Sequence, residues 1–278
     1  MIDILKAFFI GIVQGITEWL PVSSTGHMII FDEFVKMNMS DAFKELFLVV
    51  IQLGSILAVL TLYFGRLNPF SGKKSSAEKK STWSLWKKII VAAIPAGVFG
   101  VCLDDILDKY LYNHVVVALM LIIYGIAFIV IERRHNSQNK KYKIVSAEDI
   151  DYKTALKIGA FQTLSLIPGT SRSGSTIIGS MCVGVSRTAA AEFSFFLAIP
   201  VMLGASLLKI LKYIVKTGFS FSGVELMTLG VATVTAFIVS VVAIKFLMSF
   251  VRRHSFESFG WYRIVLGVLV LGSYFIFR

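Results

Sequence analysis

Six stretches of the chain are apolar almost without interruption: about 45–64, 88–103, 114–132, 189–210, 223–247 and 259–277. Each approaches the ~20 residues that a helix needs to cross a bilayer core, so the pattern predicts six transmembrane helices. Two further runs, about 2–30 and 154–185, are apolar at both ends and broken in the middle by "LPVSSTG" and "IPGTSRSG". A helix is hard to continue through such segments, where proline removes a donor and Gly, Ser and Thr favour turns. Each broken run is expected to enter the membrane as a helix, turn at depth, and leave on the same side as a second helix. Non-helical backbone at that depth persists only where protein or a water-filled cavity satisfies it.

The two broken runs resemble each other. "GIVQGITEWLPVSSTGH" at 11–27 aligns with "GAFQTLSLIPGTSRSGS" at 159–175 at a constant offset of 148. Gly11, Gln14, Ser23 and Gly26 then match Gly159, Gln162, Ser171 and Gly174, and Arg172 stands at the repeat position of Ser24. Each half contains one broken pair and three spans. Three is odd, so the halves point in opposite directions, as in inverted-repeat membrane proteins whose broken helices meet near the midplane. The fold class expected is an all-α integral membrane protein with six transmembrane helices and two re-entrant helix-loop-helix pairs. The chain 1–278 is expected to form one membrane domain, with halves at about 1–132 and 154–278 joined by a cytoplasmic loop at 133–153.

Composition agrees with this class: 56% of the 278 residues are hydrophobic and 16% are charged, which excludes an ordinary soluble domain. The net charge of +11 resides in the loops, where it reports topology and anionic lipid rather than nucleic acid. The 65–87 loop carries Arg66, Lys73, Lys74, Lys79, Lys80 and Lys87, whereas 104–113 carries Asp104, Asp105 and Asp108, so the first is expected inside and the second outside. Lys212 and Lys216 run against the rule. On this assignment both termini face outward, the first broken pair opens outward, and the second opens inward. Cys102 and Cys182 are expected as small core residues, and the N-terminal run, lacking a basic leader, as part of the folded chain.

The candidate chemistry lies in the breaks. Gln14 and Glu18 share a helical face just before Pro21, and a carboxylate near mid-bilayer costs about 2.5–3.5 kcal/mol unless it is paired, solvated or metal-bound. Ser23, Ser24, Thr25 and His27 follow, and the spacing of Ser24 and His27 fits two readings, an activated nucleophile or a helix cap with a bonded imidazole. In the second break, Gly169, Ser171, Arg172, Ser173 and Thr176 offer backbone N–H groups, hydroxyls and a planar guanidinium to an anion. A phosphate grip facing a carboxylate, a hydroxyl and an imidazole points to phosphoryl chemistry on a lipid. In this reading Glu18 with Gln14 holds a divalent cation, Ser24, His27 or a water attacks, and Arg172 stabilises the transferred group. Gln52 and Gln162 are candidates for the cavity wall or for interhelical bonding, and Glu192 for pairing with Arg187 or Arg172.

These motifs resemble those of the bacterial undecaprenyl-diphosphate phosphatases. The first family signature is met by Gln14, Glu18, Pro21, Ser23, Ser24, Thr25 and His27, and the second, PGxSRSxxT, by Pro168, Gly169, Ser171, Arg172, Ser173 and Thr176. The resemblance covers essentially the whole chain. It implies hydrolysis of the C55 lipid diphosphate at the outer face of the bacterial plasma membrane, dependence on Mg or Ca, and a link with bacitracin resistance. Gln14 replaces a glutamate that the family often has, which leaves one fewer anionic ligand. A flippase or transporter of a polyprenyl phosphate is the rival function, since broken inverted repeats suit alternating access. A different lipid-phosphatase class is disfavoured because no histidine follows "SRSGST" at the needed distance. The partners expected are the polyprenyl diphosphate and membrane lipid, with a dimer among the assemblies that the sequence admits.

Overall fold

Eleven α-helices and two short 3-10 turns make up the described part of the computed structural model, which covers residues 2–35, 37–137, 142–218 and 221–276. The helices are α1 (Ile2–Thr17), α2 (Ser24–Phe34), α3 (Asp41–Leu62), α4 (Phe64–Leu67), α5 (Ser76–Leu111), α6 (His114–Ser137), α7 (Tyr152–Thr163), α8 (Arg172–Cys182), α9 (Arg187–Thr217), α10 (Gly223–Val251) and α11 (Glu257–Ile276). Among the described residues β structure is limited to one isolated bridge between Ile144 and Val185. Residues 138–141 of the expected connecting loop lie outside the described residues.

Six helices, α3, α5, α6, α9, α10 and α11, are long and apolar enough to cross a membrane, in the positions the apolar runs predict. Their outward faces carry Val98, Phe99, Ile123, Val130, Val234, Val242, Val265 and Leu269 exposed, more apolar surface than a water-soluble monomer displays. Parts of three predicted loops are instead helical. A capping box between Ser75 and Glu78 starts α5 twelve residues before the expected span, and α5 continues through the acidic 104–111 segment; Lys79, Lys80 and Lys87 are good helix formers whose charges reach outward. Likewise α9 extends to Thr217, over Lys212 and Lys216. Cys102 and Cys182, expected in the core, are both exposed.

The broken runs are broken where proline and the Ser-rich segments require. At about 1.5 Å per residue, α1 with 16 residues and α8 with 11 reach roughly 24 and 16 Å, short of the roughly 30 Å hydrocarbon core. In the bundle α1 lies on α10 and α7 on α5, α3 meets α10 and α9 meets α5, and α3 pairs with α9 and α6 with α11. Two of the close approaches use glycine at positions related by the offset of 148. A Cβ on Gly11 would come within 2.7 Å of the Ala232 carbonyl oxygen, and one on Gly159 within 2.2 Å of the Ala92 carbonyl oxygen. The largest apolar cluster draws on both halves, from Trp19 and Leu20 through Ile177 and Phe195 to Phe256. The first turn is thereby embedded in protein; in the second, Gly169 and Thr170 are buried while Leu164 is exposed.

Candidate active site

The first turn, between α1 and α2, is buried along its length: Thr17, Glu18, Trp19, Leu20, Pro21, Val22 and Ser23 are all nearly inaccessible. Trp19 packs edge-on against Phe195 of α9, with ring centroids 5.4 Å apart, which anchors the chain as it leaves α1. Ser23 then takes a φ of 72°, and its hydroxyl accepts from the Gly26 N–H as the N-cap of α2. The second turn repeats this device. Ser171 stands at φ 71° and its hydroxyl accepts from the Gly174 N–H as the N-cap of α8. Among the described residues these two serines are the non-glycine positions with positive φ, and they are related by the offset of 148. Such a conformation costs about 1–3 kcal/mol and persists where the surroundings over-determine it.

Between the turns lies the charge pair. Arg172 Nη2 donates to Glu18 Oε1 at 3.1 Å, and Gln14 Nε2 donates to Glu18 Oε2 at 2.9 Å. Arg172 Nη1 donates to the Ser194 carbonyl oxygen at 2.8 Å, while the guanidinium carbon sits 5.6 Å from the Trp19 ring centroid. Both partners are largely buried, with side chains 11% and 9% exposed, so each neutralises a charge that the other could not leave uncompensated. The Arg172 Nε has no partner. An open cavity of about 210 Å³ adjoins the pair, lined by Glu18, Ser24, Thr25, Gln52, Ser171 and Arg172 together with Pro168 and Gly169.

The two predicted motifs are therefore brought together, although not every residue faces the cavity. Ser23 is spent on capping. Ser173 donates to the Leu20 carbonyl oxygen at 3.3 Å and Thr176 to the Arg172 carbonyl oxygen at 2.8 Å, so these hydroxyls tie backbone together inside the protein. His27 points away from the cavity, with Nδ1 2.7 Å from the Ser23 carbonyl oxygen and Nε2 2.7 Å from the Tyr262 hydroxyl. A carbonyl only accepts, so Nδ1 carries the proton and Nε2 accepts from Tyr262. Ser24 and His27 share no hydrogen bond. Gln52 lines the cavity, whereas Gln162 is fully buried with its side chain 3.4 Å from the Thr176 hydroxyl. Glu192 pairs with neither expected arginine; Arg66 donates to it at 2.8 Å, and Arg187 is held by buried Glu132.

Arg263 is the feature that the apolar-run reading passed over. It is fully buried in α11 and donates from Nη1 to the Pro21 carbonyl oxygen at 3.1 Å, and from Nη2 to those of Gly169 and Thr170 at 2.8 and 2.9 Å. Its signal was a single cation in "WYRIVLGVLVLG", a run otherwise without charge, where a guanidinium needs a purpose.

Whether these residues suit a divalent cation depends on the donor set. No group of three His, Cys, Asp or Glu side chains that could hold a metal occurs among the described residues. One carboxylate, an amide oxygen and several hydroxyls instead fit a hard ion that arrives with phosphate oxygens and keeps part of its water, as Mg does.

Residues 7–269 match the family described as bacitracin resistance protein BacA. The chain is 57% identical over 272 residues to the undecaprenyl-diphosphatase of Enterococcus faecalis, covering 97% of this chain and 96% of that protein. It is 56% identical over 276 residues to undecaprenyl-diphosphatase 1 of Clostridioides difficile strain 630, covering 99% and 98%. With the undecaprenyl-diphosphatase of Lactococcus lactis subsp. lactis IL1403 it shares 54% identity over 282 residues, covering 99% and 98%.

Proposed function

The chain belongs to the bacitracin resistance protein BacA family, and we infer that the cavity between the two turns is where it acts on its lipid substrate. It is an undecaprenyl-diphosphatase, a membrane hydrolase that converts undecaprenyl diphosphate to undecaprenyl phosphate and inorganic phosphate and so returns the lipid carrier to cell-wall synthesis. The observation that carries the placement is the Glu18–Arg172 pair at the wall of an open cavity that also presents Ser24.

In the proposed reaction the distal phosphate of the substrate lies against Arg172, whose planar fork can turn from Glu18 to phosphate oxygens. The Ser24 hydroxyl heads α2, lines the same cavity, and attacks the distal phosphorus. Its proton passes to Glu18, held in place by Gln14, and from Glu18 to the departing undecaprenyl phosphate. The bond from the distal phosphorus to the bridging oxygen breaks, and the electron pair leaves on undecaprenyl phosphate. Water then cleaves the Ser24 phosphoester, releasing inorganic phosphate and restoring the hydroxyl. His27 enters this scheme through structure: bonded to Ser23 and Tyr262, it fixes the turn that presents Ser24. Acting as the base would require it to break both bonds, whereas Glu18 already lines the cavity. Gln14 and Glu18 would hold the Mg or Ca ion, which supplies charge screening between the phosphate and the carboxylate.

Loop charge supports an outward-facing site in a multi-pass plasma-membrane protein, with the cations of 65–87 inside. The equivalent serine caps and the exchanged helix pairings support the inverted repeat. The test is phosphate release from undecaprenyl diphosphate in detergent, with and without a chelator. Release that needs Mg or Ca is expected; Ser24→Ala that still turns over at the wild-type rate would refute the assigned nucleophile.

A further inference from the structure

We propose that Arg263 is a positioning residue for the hydrolysis, holding the two turns in the register that makes Ser24 and Arg172 face one cavity. This rests on the assignment of the cavity as the active site. Three backbone carbonyls in the turns, those of Pro21, Gly169 and Thr170, lie in non-helical chain within the apolar bundle and need donors that neither water nor a helix supplies. One guanidinium satisfies all three, with one Nη on the first turn and the other on the second. It is thus a direct polar link between the segment carrying Glu18 and Ser24 and the segment carrying Arg172.

The surroundings leave that link little freedom. Arg263 is fully buried, its guanidinium lies 5.6 Å from the Tyr124 ring centroid, and it has no carboxylate partner among the described residues. Its helix is pinned against α6 where Gly125 and Gly260 meet, a Cβ on either coming within 2.7 Å of the other's carbonyl oxygen. The preceding residue, Tyr262, reaches the same first turn through His27. Arg263 does not line the cavity, so its effect on the reaction passes through the geometry of the turns. A lysine keeps the charge but presents its donors from a single atom, and cannot reproduce a fork spread over two turns. Misplacing reacting groups by about 1 Å costs on the order of 10²-fold in rate.

Steady-state hydrolysis of undecaprenyl diphosphate by Arg263→Lys in detergent tests the assignment, with melting temperature recorded alongside. The expected result is kcat lower by about 10²-fold with KM within about threefold of wild type. A second variant leaves Arg263 in place: a Cβ on Gly174 would come 3.1 Å from Arg263 Nη1, so Gly174→Ala should push the fork and lower kcat by about tenfold. Because both changes act through one link, the double variant should be no slower than Arg263→Lys alone. Wild-type kcat in Arg263→Lys, a raised KM without a fall in kcat, or strictly multiplicative effects would overturn the proposal. Should Arg263→Lys not fold, Gly174→Ala decides alone: lowered kcat at constant KM upholds the assignment and unchanged kcat refutes it. A wild-type protein that releases no phosphate would instead overturn the activity itself.

Discussion

In the first turn, Ser23 at φ 72° caps α2 and the next residue is Ser24; in the second, Ser171 at φ 71° caps α8 and the next residue is Arg172. The backbone, the capping hydroxyl and the following glycine are the same, while the side chain presented at the first helical position differs. Two copies of one strained turn thus carry a hydroxyl on one side and a guanidinium on the other. The acidic member of the pair, Glu18, has Leu166 at its repeat position, so the carboxylate likewise belongs to one copy alone. The two turns thus share a backbone and a capping serine and differ in the side chains they present.

The sharpest way to break this comparison is to remove the two first-position side chains separately. Ser24→Ala should lower kcat by about 10⁴-fold if Ser24 is the nucleophile proposed above. Arg172→Ala should lower it by about 10³-fold, as a lost transition-state donor. It should also reduce stability by about 3–5 kcal/mol by leaving Glu18 buried without its partner. Equal melting temperatures for the two variants would show that the ion pair does not hold the turns. Next in size is His27. If its role is to brace the first turn, His27→Ala and Tyr262→Phe should each slow turnover by only about five- to tenfold, the worth of one or two hydrogen bonds. A loss in His27→Ala as large as that in Ser24→Ala would make it the base instead.

The helix contacts behind the turns allow a gentler comparison. Gly159→Ala should destabilise by about 1–3 kcal/mol and by more than Gly11→Ala, because its Cβ would sit closer to opposing backbone. Equal denaturation midpoints would mean that the two halves yield differently at these crossings. The smallest effect belongs to the polar end of the bundle. Burial pushes the Glu148 carboxyl up, but bonds from Ser146 and Arg66 outweigh it and hold the group below its ordinary value of 4.5. The carboxylate therefore adds stability above that pH, which is lost as pH falls through the lower folded-state value. Glu148→Gln should lower stability slightly at neutral pH and flatten the acid limb of a stability profile, so that the two proteins converge below the folded-state value.

The apolar runs and their two interruptions were enough to place six spanning helices and both turns, because membrane length and proline chemistry are local constraints. They also singled out Glu18, Ser24 and Arg172, which the structure brings to one cavity, since a polar group in oil is conspicuous in any order of folding. Only the tertiary structure decided which polar groups meet. It turned His27 to Tyr262, 235 positions away, gave Glu192 to Arg66 instead of Arg187, and spent Ser173 and Thr176 on backbone carbonyls. It also converted Arg263 from one cation in an apolar helix into the link between both turns. Spacing along a chain determines which residues share a helix face. Which donors reach which acceptors depends on how separate helices cross, and that is settled by packing at sites such as Gly11, Gly125 and Gly159, whose partners Ala232, Gly260 and Ala92 lie far away in sequence.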